Sequence, residues 1–444
     1  MDAKHHTIIT VIIAALLQLT GCTEESPEIL YTFPDNITRP WIGSEFYANR
    51  LQDWQLHNGR IECIESSESR PMRTVHLLTH SLKSTDGSLR LSVELGPVES
   101  GSAGANSWAG FLIGAGGQDI DYRLTALVHH KPAEDGGLFA GIDGTGQIVF
   151  RDNSNGGGEN NPWSITGPLR ENDMPPVESS TGSGDGFNAN TFQPVRLELT
   201  AEPADGGYQV TLSAFNLESG DLVSQATAEN IPPEQMEGSI ALASHLGPEG
   251  SDHGYWFDNL TIDSEKLWSD PDRRFGPVLA VQYTHSDSTV NLTAQFPPLG
   301  ESDAQTADLQ FFDADSKEWR TVAESEIIDQ SYTAPFTVEN FPGERDVRYR
   351  VRYHLAEEDA PSLYLGVIQK NPGMRDEFRI AAFTGHKIFT GGLSWNHMGI
   401  WFPHNELVAA VAYHQPDLLF FSGDQVYEGD LTGAQRAPLD KAML

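Results

Sequence analysis

The seven residues Val347-Arg348-Tyr349-Arg350-Val351-Arg352-Tyr353 alternate without a break. Period two sends the valines and tyrosines to one side of an extended chain and three arginines to the other, the pattern of a half-buried β-strand. Around this run, Val278–Thr284, Thr289–Phe296, Leu309–Asp313 and Ser362–Val367 are spaced like strands. Residues 274–370 are therefore expected to fold as a small seven-strand sandwich. Arg348, Arg350 and Arg352 are the main basic stripe of an acidic chain. The expected use of that stripe is a solvated strand face paired with Asp or Glu, with a binding patch as the other reading.

The pattern of this module resembles a fibronectin-type-III or immunoglobulin-like domain. The same β signal continues toward the N-terminus. Short alternating runs recur at Thr74–Thr79, Leu89–Leu95, Tyr122–His129, Leu138–Ile142, Val195–Thr200, Tyr208–Phe215 and Ser239–Ala243, separated by Gly, Asn and Asp clusters. Two glycine-rich and polar insertions, Arg151–Pro162 and Met174–Asn190, read as long surface loops. Residues 41–267 are thus expected to form a larger two-sheet sandwich that closes with Tyr255–Ile262. The run Gly254–Ile262 resembles the closing strand of concanavalin-like, laminin-G-like jelly-roll domains. That resemblance implies loops that bind glycans or calcium. Asp258-Asn259 within it either serves such a site or hydrogen-bonds a neighbouring turn. Trp41, Trp54, Trp108 and Trp163 could stack on sugar rings, although tryptophans are more often core or rim residues.

After Asn371-Pro372-Gly373-Met374 the character changes. Phe378–Phe383 reads as a strand and Thr384–Gly399 as a glycine-rich loop. Asn405–His414 carries an apolar stripe of Leu407, Val408, Val411 and Ala412 and reads as a helix. Gln415-Pro416 stops it, and Asp417–Ser422 is the next strand, so one βαβ unit opens an α/β layer. A carboxylate delivered by Asp424 at a strand end can bridge two metal ions, which together activate water for phosphoryl displacement.

The string Gln415-Pro416-Asp417-Leu418-Leu419-Phe420-Phe421-Ser422-Gly423-Asp424-Gln425-Val426-Tyr427-Glu428 resembles the PhoD-like alkaline phosphatases, a branch of the calcineurin-like metallophosphoesterases. The resemblance covers about residues 376–440, strongest in 414–430, within an expected catalytic fragment of residues 376–444, and it implies a two-metal site, of calcium and iron or other transition metals, that hydrolyses phosphate esters. It implies Asp424 as the bridging ligand, His386 as a second ligand, and Gln425, Tyr427, Asn396 and His397 at the rim. Asn396, His397 and His404 are nearby alternatives to His386 as that ligand. Thr384 stands where an acid is expected, and the family's later histidine motifs have no counterpart before Leu444. The catalytic domain is therefore expected to be truncated and inactive alone.

At the other end, Ile8–Leu17 has the length of a signal-peptide apolar core. Leu19-Thr20-Gly21-Cys22 looks like a bacterial lipoprotein box. Residues 1–21 are expected to be removed, Cys22 lipidated, and residues 22–40 left as a polar tether. The protein is then exported and membrane-anchored at the outer membrane or cell surface. With Cys22 acylated, Cys63 stands alone and reads as a small apolar strand residue. Lys and Arg number 28 against 63 Asp and Glu, a formal net charge of −35, which disfavours nucleic-acid binding.

The expected architecture is therefore mostly β and multidomain: a jelly-roll-like β-sandwich, a fibronectin-III/Ig-like β-sandwich, then the start of an α/β metallophosphoesterase domain. The leading functional expectation is a lipid-anchored PhoD-like phosphatase acting on a phosphate-ester substrate. The alternative is a surface glycan-binding lipoprotein acting through the N-terminal sandwich. A glycosidase on that sandwich would need two carboxylates facing across a groove.

Overall fold

In the computed structural model, Val347–Tyr353 buries its valines and tyrosines and turns its arginines outward, as the alternation predicts. The structure describes residues 28–48, 50–65, 72–99, 103–128, 135–154, 174–181, 184, 186–187, 192–245, 254–356, 358–371, 373, 376–385 and 403–424. The strand lies inside a four-stranded antiparallel sheet, in the order Glu318–Glu326, Thr306–Asp313, Val347–Tyr353, Ser362–Ile368. A three-stranded sheet of Ala280–Ser286, Thr289–Gln295 and Thr333–Val338 completes the second module. Leu292, Phe296, Phe336, Tyr349 and Val351 fill the core of this module.

The first module is larger. Among the described residues one sheet has nine strands. Its centre runs Val195–Ala204, Leu89–Pro97, Tyr255–Ser264, Arg60–Cys63, and Ile29–Tyr31 also pairs with Tyr255–Ser264. The other sheet has seven strands, with Met72–Leu82, Gly238–His245, Trp108–Gly116 and Leu138–Asp143 at its centre. The core holds inward residues of both sheets, among them Val93, Leu95, Phe111, Ile113, Leu197 and Phe257. Each such side chain removes apolar area from water, and truncating a buried Phe to Ala costs about 3–5 kcal/mol. Cys63 is fully buried there, as its apolar setting predicts.

Three expectations are corrected. Tyr122–Val128 is a helix rather than a strand. Asp121 caps it by accepting from the Arg123 N–H, and Leu124, Thr125 and Ala126 are buried. The cap and the local turn outweigh an alternation that is too short to decide. The segment expected as a tether belongs to the fold from Ile29 onward: Ile29–Tyr31 pairs with Leu260–Ile262, and Ile37 and Trp41 are buried. The insertion at 174–190 contains a short edge strand, Ser179–Thr181, paired with Leu222–Ile231. Residues 155–173 lie outside the described residues.

The two modules meet through this early segment. Arg39 exchanges backbone hydrogen bonds with Leu56 of the first module. Its guanidinium reaches Asp303 of the second at 3.1 Å, with both side chains buried, while Trp41 packs into the second core. Asp303 also accepts from the Gly300 and Ala356 backbone N–H groups at 2.8 and 3.2 Å. A buried ion pair is tolerated only when its remaining hydrogen-bonding capacity is met, and Asp303 meets it.

At the C-terminal side, Ile380–Phe383 and Leu418–Phe421 pair in parallel, with helix Asn405–His414 between them. This is the βαβ unit read from the sequence. Among the described residues it has no further strands, and Leu418–Phe421 is exposed along its whole length. The described residues are thus mostly β, and a metallophosphoesterase domain is not present among them.

Candidate functional site

The closing strand Tyr255–Ser264 runs through the middle of the nine-stranded sheet, flanked by Leu89–Pro97 and Arg60–Cys63. Tyr255 and Phe257 point into the core, so Trp256 and Asp258 point out. Register places Trp256 beside Glu62 and Gly96, and Asp258 beside Glu94. A Cβ on Gly96 would stand 2.9 Å from the Trp256 indole, so glycine lets the ring lie across the neighbouring strand. Arg60 covers that ring at 4.8 Å and is held by Glu62, which also accepts from Gln55. Trp256 is consequently buried under its own cation and presents no open face.

Next to it the strand bulges. The register slips between Asp258 and Thr261, and Asn259 takes the left-handed conformation at φ 50° that asparagine tolerates better than most residues. Its Nδ2 donates to Glu94 Oε2 at 3.0 Å and to Asp258 Oδ2 at 3.2 Å. Asn259 therefore bridges two carboxylates on adjacent strands rather than binding a turn. Burial, reinforced by the charges of Glu94 and Asp35, pushes Asp258 up to about 6; the Asn259 backbone N–H and Arg60 oppose the rise. Asp258 Oδ1 is buried and, among the described residues, accepts no hydrogen bond. Two carboxylates, a carboxamide and a guanidinium thus share one half-exposed patch that can both donate to and accept from hydroxyl groups.

The other sequence candidates fall elsewhere. Trp41, Trp54 and Trp108 are all buried, and Trp163 lies outside the described residues. Trp108 occupies the outer face of the seven-stranded sheet, stacked on His245 at 4.0 Å between ring centroids. Burial first, then the neighbouring Arg151, drives His245 down to about 3, and burial does the same to His76. Both imidazoles are neutral at ordinary pH.

Asp424 stands past the end of Leu418–Phe421, exposed and with φ 55°. The parallel pairing of Phe383 with Phe421 brings Thr384 to the same edge, where Ser422 donates to the Phe383 carbonyl. His386, Asn396, His397, Gln425, Tyr427 and Cys22 lie outside the described residues. His404 is described; it is buried at the N-terminal cap of helix Asn405–His414. Among the described residues no three His, Cys, Asp or Glu side chains come together as a metal-holding group.

No family model matches this chain, and no curated protein matches it. Similar solved structures include arcelin-5, a lectin-like defence protein from Phaseolus vulgaris, at 10% identity and a TM-score of 0.34, covering 54% of this chain and 100% of arcelin-5. Lectin I from Ulex europaeus, solved with the methyl glycoside of α-L-fucose, is 12% identical at a TM-score of 0.32, covering 54% of this chain and 98% of the lectin. The exoplasmic/lumenal domain of VIP36, in its Ca2+/Man3GlcNAc-bound form, is 10% identical at 0.30, covering 51% and 88%. With no family model or curated protein matching and no metallophosphoesterase domain among the described residues, the identification with PhoD-like alkaline phosphatases and the hydrolase function drawn from it are overturned. The described residues are nearly all β.

Proposed function

We propose that residues 29–269 form a glycan-binding module, with the outer patch around Glu94, Asp258, Asn259 and Arg60 as its contact surface. The observation that carries this reading is the Asn259 bridge, which gathers carboxylates and a carboxamide at a bulge on one sheet face. Sugar hydroxyls are both donors and acceptors, and a patch of this mixed kind can engage two adjacent hydroxyls at once. Patches of lone charge or lone apolar surface would not.

Glycan-array binding by the whole protein tests the proposal. Glu94→Leu and Asn259→Gly keep the strand and the left-handed backbone while removing the bridge. Each is expected to weaken a bound glycan about tenfold, or roughly 1.4 kcal/mol. Binding that survives both substitutions unchanged would refute the assigned surface.

We further propose that the protein is exported and lipid-anchored through Cys22. The reading rests on Leu19-Thr20-Gly21-Cys22 following an apolar run. Cells fed a clickable palmitate analogue should label the protein, and Cys22→Ser should abolish the label. Persistent labelling of Cys22→Ser would show the assignment to be wrong.

A further inference from the structure

The arginine stripe of the second module is not used by the patch just described. Arg352 pairs with Asp308 at 3.2 Å, and Arg320, two strands away, pairs with Asp313 at 2.7 Å. Arg348 and Arg350 do neither: among the described residues no carboxylate lies within ion-pair reach of them. They lean instead over aromatic side chains of the two strands beside them. The Arg348 guanidinium lies 4.8 Å from the Phe312 ring centroid and 5.6 Å from that of Trp319. The Arg350 guanidinium lies 4.6 Å from the same Trp319 centroid. Two cations thus meet at one indole without an acid to balance them. Like charges this close repel unless something negative joins them. Burial first, and the charge of Arg352 second, lower the proton affinity of Arg350 in the same sense.

The surroundings hold these cations in place. Register sets Arg350 beside Gln310, Gln310 beside Thr321, and Phe312 beside Trp319. Arg350 donates through Nε to Gln310 at 2.6 Å, and Gln310 Nε2 donates to the Thr321 hydroxyl at 3.0 Å. The contact with Trp319 supports the guanidinium face, and the Nε bond uses one of its donors. Its terminal N–H groups, and those of Arg348, remain for another acceptor. On the other flank Leu365 stands beside Arg350 and Val367 beside Arg348, 59% and 47% exposed. Two adjacent rows of this sheet face therefore offer cations, a hydroxyl and apolar surface together.

We propose that this face binds an acidic polysaccharide, with the carboxylate of one uronate residue held between Arg348 and Arg350. A carboxylate has acceptor sites on both oxygens and can take N–H bonds from two guanidiniums at once. Leu365 and Thr321 lie three strand spacings apart, about 14 Å. A short run of sugars laid across the strands would therefore reach both, with hydroxyls at Thr321 and C–H faces on Leu365 and Val367. Val347–Tyr353 is hydrogen-bonded on both sides, so the arginines have no free backbone ladder beside them for an acidic peptide. Recognition there runs through side chains alone, and hydroxyl and apolar contacts next to the charge suit a sugar. At physiological salt, charges beyond about 8 Å are largely screened, so the guanidiniums outweigh the acidity of the distant surface. This site is separate from the patch on the first module and does not depend on glycan binding there.

Titration calorimetry of the whole protein with tetragalacturonate at physiological salt tests the proposal. Saturable binding is expected. The double substitution Arg348→Gln/Arg350→Gln should weaken it about tenfold or more. Arg348→Gln alone changes an exposed side chain and should still weaken it several-fold, and circular dichroism verifies that both variants stay folded. Glu94→Leu, on the first module, should leave it unchanged, which separates this site from the other. The proposal is overturned by no binding at millimolar oligosaccharide, by arginine variants that bind like the wild type, or by binding that Glu94→Leu removes. It is likewise overturned if neutral galactotetraose or tetraglutamate binds equally well, or if sedimentation shows a self-association that the double substitution dissolves.

Discussion

Asp258 and His245 are held away from their ordinary proton affinities by one cause, burial, yet they act on stability in opposite directions. The folded state raises Asp258 from 3.8 to about 6. Between those values the folded protein keeps a proton that the unfolded chain has released, so this group makes stability fall as pH rises from about 4 to about 6. Asp258→Asn removes that slope and is expected to raise Tm at neutral pH by about 2–4 °C, a modest figure because the group is half exposed. His245 is lowered from 6.5 to about 3. Here the unfolded chain takes up the proton first, so stability is lost as pH falls from about 6.5 toward 3. His245→Phe keeps the stack on Trp108 and should flatten the acid side of a Tm-versus-pH curve. An unchanged acid limb would mean that His245 does not titrate on unfolding. At this scale the sequence was informative about identity and poor on environment. Asp258-Asn259 stood out in the closing run, but Glu94 sits far away in the chain, and only strand register brings it to Asn259.

Elements with one wet face were legible through their alternation; of those covered on both faces, Leu138–Ile142 and Ser239–Ala243 were read and Trp108–Gly116 was missed. Val347–Tyr353 and Thr289–Gln295 each have one wet face, so period two shows through. Trp108–Gly116 is buried at every position, and a strand covered on both sides carries no alternation to read. Tyr122–Val128 misled in the other sense, because in seven residues helix and strand periods are hard to separate. The phosphatase reading failed for a related reason. A short apolar strand ending in Ser-Gly-Asp is a generic way to leave a parallel sheet, and the residues that would have specified the chemistry were not in that string. Gly96 shows how a glycine can be fixed by its neighbour across the sheet. Gly96→Ala would drive a methyl into the Trp256 ring, displace Arg60, and cost about 1–3 kcal/mol. Chemical denaturation would measure the loss, and a neutral result would mean that the ring moves freely.

At the level of the whole molecule, the two sandwiches are joined by more than the chain between them. Arg39 and Trp41 come from the beginning of the described fold and are buried against a module that starts more than two hundred residues later. Arg39→Ala would leave Asp303 charged and buried without its cation, at a cost of about 3–5 kcal/mol. The expected sign is a lowered Tm together with faster tryptic cleavage between the modules. Replacing both partners with apolar residues of similar size should recover most of the loss, because no lone charge remains. The same early segment also decides how the molecule meets a mechanical load. Hydrogen bonds between strands run perpendicular to the strands. A pull applied at residue 28 along Ile29–Tyr31 would therefore strain its bonds to Leu260–Ile262 together, in shear, rather than peel them one by one. Behind that strand, the Arg39–Leu56 bridge and the buried Arg39–Asp303 pair would pass the force into both sandwiches at once, so tension entering from the N-terminal side would be resisted by the joint rather than by either module alone.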